Sequence, residues 1–161
     1  MTLNQELHKQ LLALLKGGNA HATLDEAVKD FPADKHGVKP QGVPYSAWQL
    51  LEHIRIAQHD ILRFSKNHDG SYKSPKWPEG YWPESPEPPN AGAWEKTIKQ
   101  IKADQKEFEE LLGDTKTKLD EPFPWGDGQN LLRQALLIAD HNAYHLGEIV
   151  AVRRMLGAWH G

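Results

Sequence analysis

Apolar residues recur along this chain at three- and four-residue intervals, interrupted by Gly and Pro, and no stretch alternates as a half-buried strand would. The first amphipathic run starts at Thr2, where Thr2 and Gln5 make a capping-box pair. It turns Leu7, Leu11, Leu14 and Leu15 inward before Gly17-Gly18 stops it. A short second helix is predicted from Thr23, with Glu26 three residues on, to Phe31-Pro32. After a loop containing Pro40 and Pro44, Ser46 and Gln49 open a long helix, with Tyr45 placed to staple onto Leu50. Its core-facing stripe is Leu50, Ile54, Ala57, Ile61 and Phe64.

Asn90 is placed to cap the next long helix, which runs to about Leu112 with Trp94, Ile98, Ile101, Phe108 and Leu112 on one face. Gln105 falls in that stripe and is expected to face a polar pocket. Beyond Pro122, Pro124 and Trp125, Asp127 is the expected N-cap of an unusually long last helix reaching about Ala158. Leu131, Ala135, Ile138, Ile149, Val152 and Leu156 mark its inner stripe. The segment from about Lys66 to Pro89 breaks the periodicity. It is rich in Pro and Gly and carries Trp77, Tyr81 and Trp82. So long an irregular connection is either a lid or a crossover whose aromatics pin it to the rest. Four long helices and one long crossover predict an all-α, four-helix bundle forming a single domain over residues 1–161.

Composition narrows the chemistry. At 161 residues, 39% hydrophobic and 25% charged, the chain suits one globular domain rather than a disordered one. A net charge of -3 argues against a basic surface for nucleic acid. Cysteine is absent, which excludes disulfides, thiolate catalysis and thiolate zinc sites, so a metal would rest on His, Asp and Glu. The first residues lack the basic and apolar regions of a signal peptide, and no apolar run approaches the roughly 20 residues of a membrane span. The expectation is a cytoplasmic protein acting on a small molecule, with neither nucleic acid nor membrane as partner.

Candidate chemistry concentrates in Asp140-His141-Asn142-Ala143-Tyr144-His145-Leu146-Gly147-Glu148. Positions i and i+4 stack on one helix face, so His141 and His145 can reach one point with Glu148 on the same stripe. With nine histidines in the chain one such pair can arise by chance; its position on a core-facing stripe gives it weight. His53 shares that property, beside Ile54 on its own helix. Three neutral imidazoles leave coordination positions open, as catalytic zinc sites do, and imidazole also suits nickel, copper and iron. His59 is about 240° around the helix from His53 and points elsewhere. His8, His36, His68 and His160 sit in exposed-looking contexts, and His21 reads as a surface cap. Asp60 shares the His53 stripe but lies about 10 Å along it, too far to join one ion. Asp140 falls off the His141 face and is expected to form a salt bridge or hydrogen bond elsewhere. Glu148 reads as a general base, a partner for an imidazole, a fourth ligand, or a rim carboxylate paired with Arg153 or Arg154.

Three segments carry a family resemblance: Trp48-Gln49-Leu50-Leu51-Glu52-His53-Ile54, Trp77-Pro78-Glu79-Gly80-Tyr81-Trp82-Pro83, and residues 140–148. Nearly the whole chain resembles the DinB/YfiT-like family of metal-binding four-helix bundles, unrelated to the translesion polymerase of similar name. The resemblance implies an up-down-down-up topology, frequent homodimers, and a divalent metal, zinc or nickel, on the residues matching His53, His141 and His145. Relatives include thiol-dependent enzymes, among them mycothiol-dependent isomerases and bacillithiol transferases. The family often has Gln where Glu148 stands. Three functions follow as expectations. The first is a transferase or isomerase using a low-molecular-weight thiol, which a chain without cysteine cannot supply. The second is a hydrolase using metal-bound hydroxide with Glu148 relaying protons. The third is a non-catalytic, stress-related metal-binding bundle.

Overall fold

In the computed structural model, which describes residues 2–114 and 116–159, five α-helices form and none of the described residues belongs to a strand. They are α1 (Leu3–Lys16), α2 (Leu24–Val28), α3 (Ala47–Ser65), α4 (Ala93–Gly113) and α5 (Leu131–Met155). The capping boxes at Thr2–Gln5, Thr23–Glu26 and Ser46–Gln49 all close. Among the described residues no helix is long and apolar enough to cross a membrane.

Two predicted helix starts move. Asn90 does not cap α4; its Oδ1 accepts from Gly92 N at 3.1 Å, a turn that precedes the helix, and Gly92 is the N-cap. Asp127 does not cap α5. Gly128 holds φ at +97°, which no first-turn residue can adopt, and Gln129 Oε1 accepts from Asp127 N at 2.6 Å. The cap falls to Asn130, whose Oδ1 accepts from Arg133 N at 2.9 Å. At its other end α5 stops before Ala158. Gly157 turns left-handed at φ +64°, and the amides of Gly157 and Ala158 close back on the carbonyls of Arg154 and Arg153.

Side-chain pairs fix the helix directions. Thr97 donates to Glu52, Gln58 to the Ile101 carbonyl, His59 to Asp104 and Arg63 to Glu107. Both numbers rise together, so α3 and α4 run parallel. Gln105 reaches the Leu15 carbonyl and His8 the Leu112 carbonyl, so α1 and α4 are antiparallel. His53 meets His141 while Phe64 meets Trp125, just ahead of α5, so α3 and α5 are antiparallel. The result is the up-down-down-up bundle. Parallel α3 and α4 require a connection that returns the full length of the bundle, and residues 66–92 supply it.

Two apolar clusters fill the interior. One gathers α2 with the first half of α3, the start of α4 and the end of α5; the other gathers α1 with the opposite halves. Between them Gln58, fully buried, donates to the Ile101 carbonyl at 2.8 Å and accepts from Asn142 Nδ2 at 2.6 Å. Gln105 is half-buried and bonds the Leu15 carbonyl and Glu109, as its place in an apolar stripe suggested.

Three burial expectations are corrected. Leu14 is 45% exposed while Leu12 packs on the second cluster, because α1 turns His8 and Leu11 to the centre. His8 is buried, its Nδ1 donating to the Leu112 carbonyl at 2.6 Å, which ties α1 to the end of α4. His36 is also buried, stacked on Trp94 at 3.7 Å and donating from Nε2 to the Phe31 carbonyl. His68 is exposed as expected, and His160 lies outside the described residues.

Gln58→Ala should lower stability by about 2–4 kcal/mol, since it opens a cavity and strands the Asn142 amide. Urea unfolding at unchanged slope checks this; a shift under 1 kcal/mol (roughly, on the same scale) would mean the polar layer contributes little.

Candidate metal centre

α3 contributes His53 and α5 contributes His141 and His145, and the structure brings the three rings together. One ligand nitrogen from each falls within 4.8 Å of the others. Ring centroids lie 4.8 Å apart for His53–His141, 4.5 Å for His53–His145 and 4.5 Å for His141–His145. His53 and His145 are buried and His141 is half-buried.

Second partners set which nitrogen each ring presents. His53 Nδ1 donates to the Tyr81 carbonyl at 2.8 Å, which leaves the Nε2 lone pair of the neutral ring free. His145 Nδ1 donates to Glu148 Oε2 at 2.6 Å, with the same consequence. His141 Nε2 stands 3.0 Å from His53 Nε2. Two ligands at about 2.0–2.1 Å from one ion are separated by roughly 2.9–3.4 Å, so this spacing suits a shared cation. His141 Nδ1 and Asn142 Oδ1 are both buried without a geometrically formed hydrogen bond. The donor set therefore fits a divalent metal: three nitrogens, no thiolate, and acceptors already aligned behind two of the rings.

Electrostatics keeps the rings neutral. Burial, reinforced by the imidazoles of His145 and His53, pushes His141 down to about 4. Burial and His53 push His145 down to about 4, and burial lowers His53 as well. The Glu148 charge opposes the downward shift at His53. Glu148 itself is raised by burial. It pairs with His145 and not with the arginines. Arg153 is buried at the end of α5, donating to the carbonyls of Ala27 and Ala158 and lying over Phe31.

The crossover completes the site. Trp82 stacks on His53 at 3.8 Å with planes 6° apart, and Tyr45 stacks on the other side of Trp82 at 4.0 Å. Tyr45 also packs against the apolar cluster that contains Leu50. Tyr144, 66% exposed, stands edge-on to His145 and forms an aromatic rim. The aromatics of residues 66–89 are split in role: Trp82 pins the crossover, whereas Trp77 is 73% exposed. Residue patterns did not reveal the Tyr81 carbonyl, because a backbone acceptor leaves no trace in residue type. Trp82 was visible as an aromatic in a long loop, without its partner. A separate concavity lies between α1, α4 and α5, and none of the three imidazoles lines it. Its charged rim is solvated or paired, as in Lys102–Asp25 at 2.5 Å, so the chemistry is placed at the imidazoles.

Depressed imidazoles make metal-free protein less stable in mild acid. Between about pH 6.5 and 4 the unfolded chain protonates His141 and the folded chain does not, so stability falls as pH drops through that window. In urea titrations at pH 7 and pH 5 with chelator, His141→Gln should shrink the wild-type difference by about 1 kcal/mol. An unchanged difference would show that His141 is protonated alike in both states.

No curated protein and no solved structure matches the chain. The model of one family, the DinB superfamily, matches residues 5–149, which takes in all three histidines and Glu148. This protein belongs to the DinB superfamily.

Proposed function

We propose that this protein is a divalent-metal-dependent enzyme in which His53, His141 and His145 hold zinc or nickel and a low-molecular-weight thiol is the cosubstrate of a transfer or isomerisation. One observation carries the metal-dependent part: three imidazoles converge with the tautomers of His53 and His145 already set by Tyr81 and Glu148. A bound divalent ion would stabilise a thiolate at neutral pH and polarise an electrophile. The chain's own residues do the rest. Trp82 excludes water from one face of His53, and Tyr144 offers an apolar rim to a substrate. Glu148 orients His145 through Oε2 and, as a half-buried carboxyl beside the imidazoles, is placed to hold or move a proton. Support for the thiol comes from the resemblance of the three segments to thiol-dependent relatives and from the absence of cysteine, which means any thiol must arrive with a cosubstrate. The same reading takes the protein as a cytoplasmic homodimer.

A second reading is favoured by the burial-raised Glu148 carboxyl: hydrolysis in which Glu148 moves the proton. One experiment separates the two. Cobalt- or nickel-loaded protein is titrated with cysteine, glutathione and bacillithiol while visible absorption is followed, and wild type is compared with Glu148→Gln on activated esters. A saturable spectral change with at least one thiol supports thiol-dependent chemistry. No change with any of them, together with ester turnover that Glu148→Gln removes at retained metal, would replace it by the hydrolytic reading.

A further inference from the structure

Asp60 lies on α3 seven residues beyond His53, about 10 Å along the helix and outside the ligand set. Both of its oxygens are used, each by a different point of the crossover. Oδ1 accepts from the Tyr72 hydroxyl at 3.0 Å and Oδ2 from the Tyr81 hydroxyl at 2.7 Å. Burial first, then the Asp60 carboxylate through its hydrogen bonds and charge, raises both phenols above their ordinary range, so they remain donors. Each end of this clamp is itself fixed. The Asn67 side chain grips the Tyr72 backbone, accepting from its N at 2.9 Å and donating to its O at 3.4 Å. Gly80 lets the chain fold onto Pro75, where a Cβ would come within 2.9 Å of the proline Cβ. Tyr81 therefore bridges two positions of α3: its hydroxyl binds Asp60 and its carbonyl binds His53 Nδ1. Its neighbour Trp82 covers the His53 ring.

We propose that Asp60 is a positioning residue for the metal centre: its two tyrosine contacts hold the crossover where the Tyr81 carbonyl fixes the His53 tautomer. A carboxylate suits the task because it accepts from two donors at once, whereas an amide oxygen is a single, weaker acceptor. The inference rests on the metal-dependent reading for its effect on affinity, but not for its effect on the imidazole.

Two readouts test it. The first is the His53 tautomer in metal-free protein, from long-range proton–nitrogen correlation of the histidine rings. The second is zinc affinity by chelator competition. Wild type should show His53 as the Nδ1–H form. Asp60→Ala and Tyr81→Phe should each mix the two tautomers and weaken zinc binding by about 10- to 100-fold. The double variant should be no weaker than Asp60→Ala alone, since both break one linkage. Leu112→Ala, buried in the cluster at the other end, should lose stability and keep both the tautomer and the affinity. Folded Asp60→Ala and Tyr81→Phe proteins with a pure Nδ1–H ring and wild-type zinc affinity would overturn the proposal. If Asp60→Ala does not fold, Tyr81→Phe, which removes a single hydroxyl, decides it. If wild type takes up no zinc or nickel, the metal-dependent reading fails, and the tautomer measurement still decides the role of Asp60.

Discussion

α3 and α4 run side by side in the same direction, held by Glu52–Thr97, Gln58–Ile101, His59–Asp104 and Arg63–Glu107 along their length. Two consecutive parallel helices cannot be joined by a short turn, so the chain must travel back along the outside of the bundle. That return path is irregular backbone, with free carbonyls to offer and aromatics that need burial. It passes over α3 where His53 projects, and Tyr81 and Trp82 settle on that ring. Without the parallel pair there would be no crossover, and the His53 imidazole would have neither its acceptor nor its cover.

Grouping three imidazoles inside a bundle has a cost that the surrounding layers offset. Burial and mutual repulsion hold the rings neutral, which is also the state in which their lone pairs can bind a cation. Beside them Gln58 and Asn142 separate the two apolar clusters with a polar layer spanning α3, α4 and α5. Asn142 therefore touches both problems at once, anchoring the helix and standing next to His141. Glu148 adds a half-exposed charge at the mouth, near enough to orient His145 and open enough to meet a ligand.

Much of this was legible in residue order. The capping boxes, most of the helix stripes and the i, i+4 histidine pair follow from local spacings that backbone geometry imposes, so these were readable, although the α1 stripe misplaced Leu14. His53 was readable because it shares a stripe with Ile54. What escaped was whatever depends on contacts distant in sequence. His8 and His36 looked exposed because their acceptors are carbonyls, at Leu112 and Phe31, which no residue type advertises. The start of α5 escaped because the left-handed Gly128 overrides the capping tendency of Asp127. Asp60 was noticed only as too distant to be a ligand, while its partners were hidden in a crossover with no period to read.

The central claim is that His53, His141 and His145 act together as one metal site. Elemental mass spectrometry of untagged protein, comparing wild type with His145→Ala after identical incubation with zinc or nickel, tests it most directly. The account predicts near one metal per chain in wild type and its loss in the variant. Wild type that takes up neither metal, or a variant that retains the full amount, would contradict it.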